Sequence, residues 1–296
     1  MNQKTRLFKM VDIFYILMMV LPICLGIALK VVTTPPSDGI SISGARIFTT
    51  VKMPVHDLII TESQVNSAIV IVSLLFLCLY LTHGIKDGVW LTRHHFAELI
   101  VEKSSQLVEQ NMGEYFKSFA PFVAAIIGLS AFSSLITLLG MYAPTSDINI
   151  IAGWAILVFA LITYYKMKCG PVQYVKDLAS PALMLPLNVI GEIATPISMA
   201  FRHYGNILSG SVVSVLIAAA LQGLSSMIFG SLPGILGEFP FLQIGIPAIL
   251  SIYFDIFSGC LQAYIFAMLT MLYISGGFPL ELYKERKLKK ARKCKN

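Results

Sequence analysis

The chain has 296 residues, of which 56% are hydrophobic and only 13% charged, against about 25% charged in a soluble domain. Mean hydropathy is +0.76, which excludes an ordinary soluble fold and makes a polytopic membrane protein the expectation. The net charge of +6 is no sign of nucleic-acid binding, because the tail Lys284–Asn296 holds eight basic residues and one acid, leaving the rest of the chain at −1.

Apolar runs mark the elements in chain order. The first is Val11 to Leu29, with Pro22 inside and Lys4, Arg6 and Lys9 ahead of it. It has the flank of a signal peptide but no small-residue cleavage site, so an uncleaved helix is expected. Residues 31–65 read as an extracytoplasmic loop. The second helix is Asn66 to Leu81. Arg93 to Gln110 has helical spacing, with Phe96, Leu99, Ile100, Lys103 and Leu107 on one side, and reads as an amphipathic helix on the membrane surface. His94 and His95 are adjacent, so their rings diverge, and both read as surface residues. The third and fourth spans are Phe119 to Met141 and Ile150 to Tyr165.

Two longer apolar stretches follow. Leu183 to Leu236 carries only Glu192 and Arg202 as charges, and Phe241 to Ile274 carries only Asp255. A span needs about 20 residues. These stretches are therefore long tilted helices, or helices broken at Gly and Pro. Pro233-Gly234 and Glu238-Phe239-Pro240 separate them as a hairpin. The fold expected is an all-α polytopic membrane protein of about six membrane helices, the last two forming a long tilted hairpin. Its divisions are 1–30, 31–65, 66–117, 118–177, 178–280 and a basic tail at 281–296. Lysine and arginine cluster on alternate flanks, which puts both termini in the cytoplasm. Arg46 and Lys52 in the 31–65 loop are mild exceptions.

The five cysteines, Cys24, Cys78, Cys169, Cys260 and Cys294, form no CxxC pair and suggest neither a disulfide framework nor a zinc site. No phosphate loop, HExxH, GxSxG or GxGxxG after a strand is present. No metal, cofactor or nucleotide site is expected on this chain.

The chemistry is expected where charge meets the apolar stretches. Arg202 lies about 20 residues into its run, where a guanidinium must face protein or a wet cavity. Thr195, Ser198, Asn206 and Ser209 share its face at helical spacing. Gly205, Ser209, Gly210, Ser211 and Ser214 let another helix approach, though small residues serve plain packing equally well. Asp255, Ser258 and Gln262 form a matching stripe. A carboxylate at this depth can shift its proton affinity upward and exchange protons. Glu192 is a second acid on the same approach. The alternative for the charges is a structural ion pair between Arg202 and Asp255. His203 lies about 100° round the helix from Arg202 and faces elsewhere.

The run from Pro186 through Asn188, Glu192, Pro196, Ser198, Arg202 and Asn206 to Gly210 resembles the signature of subunit a of F-type ATP synthases. Leu261-Gln262 to Thr270 resembles its last helix, and Pro144-Thr145-Ser146-Asp147-Ile148-Asn149 its turn before a central helix. The resemblance covers about residues 115 to 275. It implies a stator that offers two half-channels for protons or sodium ions to a rotating c-subunit ring, with peripheral-stalk b subunits and membrane lipid as further partners. It implies a bacterial cell membrane, ATP synthesis as the coupled process, and nucleotide catalysis on other chains. By matching position Arg202 is the essential arginine, with Asn206, Gln262, Ser198 and Asp255 at the family's other polar sites. Many members carry a carboxylate or histidine nine residues after the arginine; Ser211 stands there in this chain. His203-Tyr204 stands where the family has Leu-Phe. The alternative function is an autonomous secondary transporter or ion channel with an intramembrane Arg/Asp site.

Overall fold

The computed structural model describes residues 3–33, 44–54, 57–85, 92–168, 185–229 and 252–278, with positions 171, 174, 178, 179, 245, 249 and 250. The expected hairpin turn at Pro233–Pro240 and the basic tail lie outside the described residues. Seven α-helices are present among them. They are α1 (Gln3–Thr33), α2 (Glu62–Thr82), α3 (Thr92–Met112), α4 (Ala120–Leu135), α5 (Ile148–Lys168), α6 (Leu185–Phe229) and α7 (Gly259–Gly276). Six described helices are long and apolar enough to cross a membrane, α3 being the exception. The chain is thus an all-α polytopic membrane protein, as the composition requires.

Three elements differ from expectation. Within the 31–65 loop, Ile47–Val51 (β1) and Leu58–Thr61 (β2) pair antiparallel, with Ile47 opposite Thr61. Their β-branched residues suit a pleated surface. Next, α2 begins at Glu62, four residues before the apolar run, and Gln64 Oε1 accepts the Thr61 N–H at 3.4 Å across its first turn. Finally, α6 is one unbroken helix of 45 residues despite Pro196. A proline removes one ladder hydrogen bond, which a long helix in an apolar medium can survive.

The core sits between α3, α4, α5 and α7. Val108 and Met112 of α3, Val123 of α4, Val158 of α5, and Phe266, Met271 and Ile274 of α7 are buried there. Met199 joins it from α6. The anticipated apolar side of α3 instead faces outward, with Phe96 and Leu99 more than half exposed. That is the arrangement a helix on a lipid surface needs. The spans likewise expose Ile13, Ile190 and Phe201, which lipid covers at no hydrophobic cost.

At one end of the bundle the rings of Tyr115, Phe116, Tyr165 and Phe278 close the core. At the same end of α1, Asp12 receives His83 Nδ1 at 2.8 Å and Arg93 Nη1 at 2.9 Å. This charge cluster ties α1 to α2 and α3. His94 belongs to it and is not a surface residue: it is buried, with Nε2 2.9 Å from the His83 carbonyl. His95 is exposed, as expected. At the opposite end Asp147 caps α5, accepting the Asn149 N–H at 3.0 Å and bonding Ser63 of α2. The Pro144–Ser146 turn precedes it, and Asn66 donates to the Tyr142 carbonyl at 2.8 Å. Burial, then the Asp147 charge, pushes the Tyr142 phenol up from its ordinary value.

Candidate ion-translocating site

The site is built on α6. Its polar stripe lies on the side turned away from the bundle: Ser198, Arg202 and Ser209 are exposed, while Thr195 and Asn206 are half-buried. The hydroxyls satisfy themselves locally. Thr195 Oγ1 donates to the Gly191 carbonyl at 3.0 Å and Ser209 Oγ to the Asn206 carbonyl at 3.0 Å. Arg202 forms no ion pair or hydrogen bond with any described residue. The structural pair with Asp255 is therefore not formed.

The next residue faces the other way. His203 is fully buried between α4, α5 and α7. Its Nε2 lies 3.3 Å from Ser130 Oγ, and the Trp154 and Phe266 rings stand edge-on at 6.3 and 5.6 Å. Met199 and Ala200 are buried on the same side. One face of α6 serves the fold and the other presents a cation.

The expected second stripe meets the first. Ile252–Ser258 is a turn of π-helix leading into α7. Ser258 Oγ accepts Asn206 Nδ2 at 2.9 Å. Asp255 and Asn206 share a cavity of about 20 Å³ with Ser134, Thr137, Gly210 and Ser211, room for about one water molecule. Gly259 lets α7 approach α4 here, since a Cβ on it would stand 2.5 Å from Ser134 Cβ. Gln262 is buried one turn further along α7. The structure thus brings together Asn206, Asp255 and the neighbourhood of Gln262, with Arg202 one turn along α6 from Asn206. Ser134 and Thr137 escaped the sequence reading; their only signal was a hydroxyl-rich end on an apolar helix.

Glu192 requires a correction. It does not share an approach with Asp255. Lys166 Nζ donates to its Oε1 at 2.6 Å and the Tyr174 hydroxyl to its Oε2 at 2.5 Å. Lys166 is at the C-terminal end of α5, whereas the Asp255 cavity reaches Ala143, before α5 begins. The 21 residues of α5 separate these ends by about 30 Å. The two acids thus lie at opposite ends of the bundle. Burial and the Glu192 carboxylate push the Tyr174 phenol up to about 12.

An unpartnered arginine on the outward face of a membrane helix, beside a wet carboxylate cavity, defines a membrane protein whose site awaits a neighbour. A model of the ATP synthase A chain family matches residues 65–275, which takes in α2 to α7 and starts earlier than the motifs alone suggest. The chain belongs to that family. It is 30% identical over 234 residues to ATP synthase subunit a of Trichlorobacter lovleyi, covering 75% of this chain and 90% of that protein. It is 33% identical over 196 residues to subunit a of Bacillus pumilus, covering 61% and 77%. Subunit a of Bacillus velezensis is 31% identical over 227 residues, covering 72% and 88%.

Proposed function

We propose that the chain is the membrane stator of a bacterial F-type ATP synthase and offers two half-channels to a rotating ring of c subunits. The observation that carries this is Arg202, exposed on the outer face of α6 with no partner among the described residues. A guanidinium at mid-membrane is costly unless a carboxylate meets it. A passing ring carboxylate supplies that partner. Arginine keeps its charge throughout, which a desolvated lysine does not.

The outer route leads to the Asp255 cavity, where Asn206, Ser258 and Ser211 supply hydrogen-bonding groups. Asp255 carries the ionisable load that other members share with the position of Ser211. Gln262 and Ser198 flank Arg202 as polar supports. A proton or sodium ion arriving by this route neutralises a ring carboxylate, which can then turn through lipid. The inner route opens near Glu192, at the end that carries Lys166 and Lys168, the cytoplasmic end by the distribution of basic residues. Arg202 stands between the two routes and blocks leakage. The driving force is about 2.3 kcal/mol per charge per 100 mV.

The length of α6 supports a tilted course along the ring. Forty-five residues extend about 67 Å, more than twice the hydrocarbon thickness. Peripheral-stalk b subunits and lipid are the remaining partners, and both termini lie in the cytoplasm.

The test is ATP-driven pumping in membrane vesicles. Arg202→Ala and Arg202→Lys both abolish it on this reading, and normal pumping by either overturns it. The purified chain in liposomes transports nothing without the ring; autonomous transport would favour a channel or secondary transporter instead.

A further inference from the structure

We propose that Lys166 and Tyr174 are positioning residues that hold Glu192 ionised, and so set the pH at which the inner route exchanges its proton. This rests on the half-channel reading above, and it concerns two residues which that reading leaves without a role.

The geometry is specific. Both Glu192 oxygens are occupied, one by the Lys166 ammonium at 2.6 Å and the other by the Tyr174 hydroxyl at 2.5 Å. Lys166 and Glu192 side chains are 24% and 21% exposed, so solvent screens the pair only in part. Two charge-assisted donors on a half-buried carboxylate favour its charged form. Lys166 also stands 5.9 Å from the Tyr174 ring. Lys168, two residues on, is turned to the Tyr115 and Tyr165 rings instead.

A third element fixes the lysine. Its stem crosses Gly277 at the end of α7, where a Cβ would stand 2.8 Å from Lys166 Cε and 3.1 Å from Cγ. Glycine leaves the passage through which Lys166 reaches Glu192. The lysine is thus threaded from α5, past α7, onto α6. A flexible surface pair would not need this passage, and an isolated one would contribute little.

The proton step balances simply. A proton leaving a ring carboxyl passes to a Glu192 oxygen and from there to water; Lys166 remains an ammonium and Tyr174 a phenol throughout. Removing the cation favours Glu192 in its neutral form. The pH limb that reports Glu192 then moves upward.

The experiment uses the assembled complex in inverted vesicles and follows ATP-driven pumping against the pH of the ATP-side medium. Lys166→Gln moves that limb up by about one pH unit. Tyr174→Phe moves it the same way by less, and Lys166→Arg leaves it in place. If Lys166→Gln does not assemble, Gly277→Ala, which displaces the lysine without removing it, gives a smaller upward shift. A profile that keeps its position while losing amplitude in every assembled variant overturns the proposal and leaves a purely structural pair. Arg202→Ala in the same vesicles separates the two readings, since its normal pumping would defeat the half-channel reading whatever the Lys166 variants do.

Discussion

Arg202 and His203 are neighbours in sequence and opposites in surroundings. The first stands exposed on the outside of α6, and the second is sealed among Ser130, Trp154 and Phe266. One residue of helix rotation, about 100°, separates a group that waits for a partner from one that already has its partners. The difference teaches that cost and function are divided between two faces of a single helix. The inward face should respond to mutation in stability, the outward face in transport.

The largest expected effect is on the outward face. Arg202→Ala should bring pumping to background while the complex still assembles; loss of assembly would mean that the two faces are not separable. His203→Ala should do the reverse. It empties a fully buried site, which costs about 2–3 kcal/mol, read as a lower temperature of dissociation in detergent with turnover near normal in the cold. Ser258→Ala sits where the faces meet. It takes the acceptor from Asn206 and should cost about 1 kcal/mol, or about a fivefold loss of rate. Ser198→Ala removes an exposed hydroxyl with no described contact, and should change pumping by about twofold at most. A greater loss there would extend the functional stripe a turn toward Glu192.

Much of the outward face was legible in the sequence. Spacings of four from Ser198 to Arg202 to Asn206 survive any detail of packing, because only the helix period is needed. The spans were legible for the same reason: an apolar run must bury or meet lipid whatever its neighbours do. His203 was legible only as facing elsewhere, since its pocket is made by three distant segments. The continuity of α6 was hidden by Pro196 and the glycines, which break helices in water more readily than in lipid. Glu192 was the instructive miss. Ten residues from Arg202 is about 15 Å of helix rise, enough to place it far from Asp255. Its actual partners, Lys166 and Tyr174, come from 26 and 18 residues upstream, and only the path of the chain between α5 and α6 brings them there.

The π-helical turn at Ile252–Ser258 makes the site sensitive to chain length as well as to composition. A π turn closes its hydrogen bonds one residue later than an α turn, so it stores a residue of slack just ahead of α7. Deleting one residue there would let the segment rewind as α-helix while α7 keeps its seat against α4. Everything upstream of the cut, Asp255 included, would then swing by about 100°. A deletion in this segment would act on the cavity as a change of residue does elsewhere, turning the carboxylate out while leaving the fold intact.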